Sequence, residues 1–176
     1  MHRRGRWKMT PLHIASEGGF LDVAELLVSK GADIHSQDRY GDTPLHRASE
    51  RGSLDVAELL ISKGADIHSQ DNHKMTPLHI ASEGGFLDVA ELLVSKGADI
   101  HSQDRYGRTA LDRAKGKAKI LLQVVLSFYT NLNYEGQEKT IRCYVNQMIN
   151  VVTSVVDCSL CKSFTKCTGH VNQTPR

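Results

Sequence analysis

Apolar and polar residues follow one pattern three times between residues 10 and 108. Each unit opens with a Thr-Pro pair and continues with apolar residues at helical spacing, such as Leu12 and Ala15. A threonine hydroxyl caps a helix, and proline fits the first helical position, so the pair predicts a helix start. Gly18 and Gly19 then predict the end of this short helix, because glycine accepts the left-handed conformation found there.

A longer apolar run predicts a second helix in each unit. In the first unit it is LDVAELLVSK, and Gly31 supplies a left-handed exit from it. Residues 33–41 are polar and rich in turn formers, which predicts an extended loop or hairpin. Each unit is therefore predicted to be a pair of helices followed by a loop.

The units recur at a fixed distance along the chain. They begin at threonines that lie 33 residues apart, Thr10, Thr43, Thr76 and Thr109. Residues 8–41 and residues 74–107 are identical at all 34 positions. A helix pair of this size cannot bury its apolar faces alone, so the repetition predicts a stack in which each unit covers the next.

The TPLH start, the GAD motif after the second helix and the polar loop resemble the ankyrin repeat family. Three copies span residues 10–42, 43–75 and 76–108, and TALDRAKGKAKILLQ resembles a truncated fourth. The resemblance implies an all-α solenoid of stacked helix-turn-helix units with β-hairpin loops along one edge. It also implies that the TPLH histidines join neighbouring backbones by hydrogen bonds: His13, His46 and His79.

Four further segments complete the predicted organisation. Residues 1–9 form a basic segment that completes the first hairpin, and residues 109–126 a degenerate fourth repeat. Apolar residues at helical spacing predict an amphipathic helix within 127–157, and residues 158–176 are predicted to be a disordered, cysteine-containing tail. The first repeat shows no polar adaptation to an end. Trp7 is the only candidate to cover it, so we infer a fragment or product of a longer array, or else an open end that serves docking or self-association.

Charge is unevenly distributed along the chain. The formal charge is +4 over residues 1–9, −7 over residues 10–108 and +5 over residues 109–176. The chain is 40% apolar and 24% charged, which is typical of a globular protein. It contains no run of 18 apolar residues and no secretory signal pattern, so the cytoplasm, or else the nucleus, is the expected location.

Residues capable of chemistry favour structural interpretations, and we expect no enzyme activity and no cofactor. Asp33, His35 and Ser36 suggest a triad, but the same loop occurs in every repeat, whereas an enzyme needs one supported constellation. Zinc has a weaker candidate site in the tail. The candidate ligands are Cys158, Cys161, Cys167 and His170. Only five residues separate Cys161 from Cys167, which is short for a zinc site, so we expect the cysteines to be free thiols.

One loop tip departs from the family pattern. Glycine usually stands at the tip, as Gly41 and Gly107 do, but the second repeat has Lys74. A left-handed lysine costs about 1 kcal/mol, so we expect this hairpin to be reshaped.

The repeats differ from one another mainly in the loops and the first helices, which predicts a protein-binding surface there. The resemblance implies an adaptor or scaffold that grips its partner with hairpin tips and a concave helix face, and the basic tips favour an acidic partner. The predicted contact residues are Arg39, Tyr40, Asp42, Arg47, Arg51, Asn72, His73, Lys74, Met75, Arg105, Tyr106 and Arg108.

Two alternative functions stay open at this point. The basic N-terminus RRGRWK favours attachment to nucleic acid or to an anionic surface, although the acidic repeats beside it oppose this. Ankyrin repeats also resemble known targets of asparaginyl hydroxylation, and the residue after GAD-I is histidine here: His35, His68 and His101.

Overall fold

The computed structural model describes residues 8–131, which form eight helices and contain no β-strand. They come in pairs, and the pairs follow one another along the chain. The helices are α1 Pro11–Glu17, α2 Leu21–Ser29, α3 Pro44–Arg51, α4 Leu54–Ser62, α5 Pro77–Gly84, α6 Leu87–Ser95, α7 Ala110–Arg113 and α8 Gly116–Asn131.

The pairs stack in two layers, which confirms the predicted solenoid. The first helices of the repeats contact one another in the order α1, α3, α5, α7, and the second helices in the order α2, α4, α6, α8. Equivalent side chains are buried at each level, among them Leu12, Leu45 and Leu78 with 0–1% exposure. Burying a leucine side chain contributes about 1.5–3 kcal/mol, so this recurring layer is a main source of stability.

Helix starts follow the sequence prediction closely. Threonine is the N-cap of α1, α3, α5 and α7, and proline follows it in the first three. The side chain of the third helical residue returns to the cap backbone, which completes a capping box. That residue is His13, His46 or His79 in the three full repeats and Asp112 in the fourth.

Each of these histidines is fully buried and links the cap of its own helix to the last residue of its repeat, which directly precedes the N-cap threonine of the next repeat. The backbone amide of Thr10 donates to His13 Nδ1 at 3.2 Å, so Nδ1 is an acceptor and Nε2 carries the hydrogen. His13 Nε2 then donates to the carbonyl of Asp42 at 2.8 Å. His46 and His79 make the same bond to the carbonyls of Met75 and Arg108, each at 3.1 Å. The predicted histidine bridges are confirmed.

The fourth repeat closes the described part of the chain differently. Asp112 accepts from the backbone amide of Thr109 at 2.8 Å and caps α7 without reaching a further loop. The amide of Lys115 donates to the carbonyl of Ser82 at 3.0 Å and ties this repeat to the third. α8 then buries Ala118, Leu121 and Leu122, and it runs five residues beyond the boundary predicted at 126.

The loops fold back on themselves, as in hairpins, through turns that are too short to form strands. We call residues 38–42, 71–75 and 104–108 the three tips. In the first tip the amide of Asp38 donates to the carbonyl of Asp42 at 3.0 Å, and the second and third tips close in the same way.

The expectation that the tip at Lys74 is reshaped is wrong. Lys74 has φ 59°, close to the φ 82° of Gly41, and its amide donates to the carbonyl of Asp71 at 2.9 Å. The turn is therefore retained, and the lysine takes up the left-handed conformation. The hydrogen bonds of this tip to its neighbours outweigh a local cost of about 1 kcal/mol.

Replacing Lys74 by glycine should therefore stabilise the protein. The Lys74→Gly variant is expected to raise the free energy of unfolding by about 1 kcal/mol, because glycine adopts positive φ without a steric penalty. Urea denaturation monitored by circular dichroism measures this change. Gly107→Ala is the control in the reverse direction. A Cβ atom at this position meets no other atom within 4 Å, so the only cost of the substitution is the positive φ of +73°. A Lys74→Gly variant no more stable than the wild type would contradict the argument.

Stability should also fall as the pH falls below about 6.5. Desolvation by burial lowers the pKa of His13, His46 and His79 below the ordinary value of 6.5, although the carbonyls that they contact oppose this. In that range the unfolded chain binds protons at these positions that the folded chain does not bind, so unfolding becomes easier. Urea denaturation between pH 7.5 and pH 5 measures the slope.

Asp42 should act in the opposite direction in the same experiment. Burial raises its pKa to about 6 from an ordinary value of 3.8, despite the nearby Arg47 guanidinium. At pH values below 6 the folded chain therefore binds a proton at Asp42 more readily than the unfolded chain does. The stabilisation that this proton provides is lost as the pH rises through 6. An Asp42→Asn variant should lose stability more steeply than the wild type on acidification. Stability that rises from pH 6.5 to pH 5 in both proteins would refute the assignment.

Candidate partner-binding surface

An aspartate carboxylate holds each tip in shape. Asp38 Oδ1 accepts from the amides of Tyr40 at 2.7 Å and of Asp42 at 3.1 Å. Asp71 and Asp104 bind the amides of the equivalent residues in the second and third tips. A carboxylate that accepts two backbone amides fixes a turn, because it replaces the water that would otherwise solvate them.

Successive tips are joined edge to edge. The amide of Asn72 donates to the carbonyl of Tyr40 at 2.9 Å, and the side-chain amide of Asn72 donates to the carbonyl of Arg39 at 3.1 Å. The amide of Arg105 donates to the carbonyl of His73 at 2.8 Å. The three tips therefore form one continuous hydrogen-bonded edge, and its backbone is ordered before any partner arrives.

Tyrosine and arginine side chains stand on this edge. Tyr106 is 66% exposed, and the guanidinium groups of Arg105 and Arg108 lie 5.2 Å and 4.8 Å from its ring centre. Tyr40 is 42% exposed, and Arg39 lies 5.3 Å from its ring centre. Cations at these distances are attracted to the ring face, which restricts the tyrosine and arginine side chains further.

Beneath the first tip lies a network of ion pairs. The Arg47 guanidinium contacts Asp38, reaches Asp42 at 2.9 Å and reaches Glu50 at 2.8 Å. The Arg47 side chain is only 13% exposed and that of Asp38 is 0% exposed. Although burial opposes it, the hydrogen bonds from Arg47 and from the Tyr40 amide lower the pKa of Asp38. Two predicted contact residues, Asp42 and Arg47, are thus largely occupied within the protein.

Part of this network recurs 66 residues later, where only the pairing with the aspartate of the tip is kept. Arg113 occupies the position of Arg47, pairs with Asp104 at 2.7 Å and also contacts Glu83 of the third repeat. Despite burial, hydrogen bonds from the Arg108 and Tyr106 amides and from Arg113 hold the pKa of Asp104 well below its usual range. Sequence reasoning missed these aspartates because they are invariant among the repeats, although an aspartate just before a turn is itself a signal.

A cavity of about 360 Å³ is lined by residues of all four repeats. Four of its eight lining residues carry carboxylates, and two apolar side chains, one glycine and one lysine complete the wall. The lining residues are Asp42, Glu50, Asp71, Met75, Ile80, Glu83, Gly84 and Lys115. Asp42 and Met75 are among the predicted contact residues, and the other six lining residues come from the second, third and fourth repeats.

The remaining predicted contact residues fall into two groups. Asn72, His73 and Lys74 are exposed on the second tip, next to the first and third tips. Arg51 is exposed on α3 and pairs with Glu17 of the first repeat at 2.6 Å, which places it in a surface contact between repeats.

The three residues of the rejected triad pattern form a local turn in the described part of the chain. Asp33 accepts from the backbone amide of His35 at 2.9 Å, and the Ser36 hydroxyl donates to the carbonyl of Asp33 at 2.8 Å. These bonds are those of a loop cap, since a nucleophile and its base would be joined through their side chains. The exposed histidines of the hydroxylation hypothesis, His35, His68 and His101, lie in these loops.

Several predictions lie outside the described residues. They concern Trp7 and the basic N-terminus, the helix predicted within 127–157 beyond residue 131, and the candidate zinc ligands Cys158, Cys161, Cys167 and His170. Within residues 8–131, no group of three or more His, Cys, Asp or Glu side chains is arranged to hold a metal ion. Nor does any helix of that range have the length and apolar character needed to cross a membrane.

Comparison with known families agrees with this geometry. A family model described as ankyrin repeats (3 copies) matches residues 1–71, and one described as ankyrin repeats (many copies) matches residues 60–114. No curated protein matches the chain. Stacked helix pairs that begin with TPLH, the histidine bridges from helix cap to tip and two family matches together establish that the chain belongs to the ankyrin repeat family.

Proposed function

We propose that this chain is an adaptor or scaffold that binds a protein partner across its tips and the adjoining cavity. Ankyrin repeats are generally protein–protein interaction modules. The observation that carries the proposal is the continuous edge of tips, on which exposed Tyr40 and Tyr106 stand with arginines over their rings. Tyrosine and arginine are enriched among the residues that contribute most to binding, and a rigid edge reduces the entropy lost on association.

The charges on this surface favour a partner of mixed charge. Arg39, Arg105 and Arg108 give the tips a positive rim, which suits an acidic surface. The cavity beside them is acidic, with Glu50 and Asp71 in its wall and the side chains of Met75 and Ile80 as apolar contacts. A lysine or arginine of the partner suits it, because the aliphatic stem can lie on the apolar residues while the charge meets the carboxylates.

The proposal separates residues that contact a partner from residues that hold the surface in place. Arg105 and Tyr106 are exposed and belong to the first group. Arg47 and Asp38 belong to the second, because their side chains are buried against each other. The two groups should respond differently to substitution.

Substitution of the exposed pair should abolish binding and leave the fold intact. In an affinity purification from cells with quantitative mass spectrometry, the Arg105→Ala/Tyr106→Ala variant should lose partners retained by the wild type. Loss of one such contact costs about 2 kcal/mol, or roughly 30-fold in affinity. Lys63→Ala/Lys96→Ala is the matched control, since both lysines are exposed at helix ends away from the tips. Identical partner profiles for all three proteins would refute the assignment of the tips.

Substitution of the buried arginine should instead destabilise the protein. Arg47→Ile introduces the residue found at this position in the first and third repeats, Ile14 and Ile80. It leaves the Asp38 carboxylate buried without its cation, so the free energy of unfolding should fall by about 2–3 kcal/mol in urea denaturation. Arg105→Ala should change it by less than about 0.5 kcal/mol. Equal stabilities of the two variants would contradict this division.

A further inference from the structure

Two identical stretches of this chain have different surroundings. Residues 8–41 match residues 74–107 at all 34 positions and fold into the same helix pair. Yet Val23 is 47% exposed in the first repeat, whereas Val89, its equivalent in the third, is 1% exposed. Because the sequences are the same, the difference comes entirely from the neighbouring repeat.

The second repeat covers this surface of the third. α3 packs on α5, and α4 packs on α6. The ring of Phe86 fits against Gly52, where an added Cβ atom would overlap the ring. Gly52 is left-handed, with φ 69°, at the turn between α3 and α4. The element that packs on this surface of the third repeat is therefore a helix pair with glycine at the turn between its two helices.

The equivalent surface of the first repeat is open. We call it the leading face and define it by Phe20, Val23 and Leu26. They are 58%, 47% and 58% exposed, whereas their equivalents in the third repeat are half-buried or buried: Phe86, Val89 and Leu92. The leading face is the main exposed apolar cluster of the described residues.

The backbone beside the leading face already has the conformation that stacking requires. Lys8 has φ 55°, close to the φ 59° of the equivalent Lys74. Met9 stands at the position of Met75, whose carbonyl accepts the hydrogen bond from His46, 29 residues earlier in the second repeat. The histidine of an added repeat would therefore find a carbonyl acceptor at Met9, in addition to the apolar surface.

We propose that the leading face binds the end of a second, different ankyrin-repeat chain. The docked repeat has glycine at the position of Gly52 and a histidine at that of His46, so the contact continues the stacking interface already present between the second and third repeats. A second copy of this chain is a poor complement. Its fourth repeat has Asp112 in place of the bridging histidine, Lys115 directly before α8, and Lys117 and Lys119 in the first turn of α8.

Calorimetric titration of the full chain with a defined ankyrin array tests this proposal. The array consists of residues 10–75 followed by residues 10–70, so that it ends after the helix pair of the second repeat and leaves the histidine at the His46 position to bond to the Met9 carbonyl. Aspartate replaces valine at the Val23 position of its own first repeat, which prevents the array from stacking on itself. Circular dichroism verifies that the array is folded before use. We expect binding of one array per chain with a Kd of about 1–100 μM, the weak range expected for one repeat interface.

Matched variants locate the contact. Val23→Asp in the full chain should weaken binding at least about 10-fold, because a charge would be buried without a partner. Ile120→Asp is the control, since Ile120 is 48% exposed on α8, and it should bind as the wild type does. Asparagine at the Gly52 position of the array's last repeat tolerates the left-handed backbone but should block the Phe20 ring.

Three results would overturn the proposal. The first is no binding at 100 μM array, and the second is equal affinity of the wild type and the Val23→Asp variant. The third is a dimer of the full chain alone, seen by sedimentation, that Val23→Asp converts to monomer, because the leading face would then bind a second copy. None of these results bears on the tips, so the proposed function is tested separately.

Discussion

A buried imidazole in each full repeat links the cap of the first helix to the tip that leads into the next repeat. Nδ1 accepts the hydrogen bond of its own helix cap, and Nε2 donates to the carbonyl at the end of the following tip. A neutral imidazole does both in only one tautomer and one ring orientation, so the bond fixes where the next tip lies. Apolar stacking supplies most of the free energy, but it is non-directional. The histidines give that stacking a register.

The surface for a partner follows from this register. Once the tips lie side by side, their backbone groups bond to one another, and the tyrosines and arginines stand in a row. The aspartates that shape the turns also bind Arg47 and Arg113 below them. One carboxylate therefore serves the turn and the ion pair together. The tips are rigid because each is held by its own aspartate and by the neighbouring tip.

Identical residues acquire different roles according to their neighbours. Val89 is a core residue and Val23 a surface residue, although their repeats have the same sequence. His79 bridges to a further tip, whereas Asp112 at the next equivalent position only caps its own helix. In a solenoid each repeat contacts only adjacent repeats, so a residue's environment is decided by the presence or absence of one neighbour.

The resemblance to ankyrin repeats implied the bridging role of the TPLH histidines, whereas the sequence by itself determined the period of the repeats and the positions of the helices. These depend on capping, glycine and helical spacing within one unit, and each copy repeats the signal. Tertiary structure alone decided that Asp42 and Arg47 are occupied by internal ion pairs, that Lys74 keeps a left-handed turn and that Val23 is open to solvent. Ion pairing, strain and exposure depend on groups brought from other turns or other repeats, and no pattern within one unit records their distances.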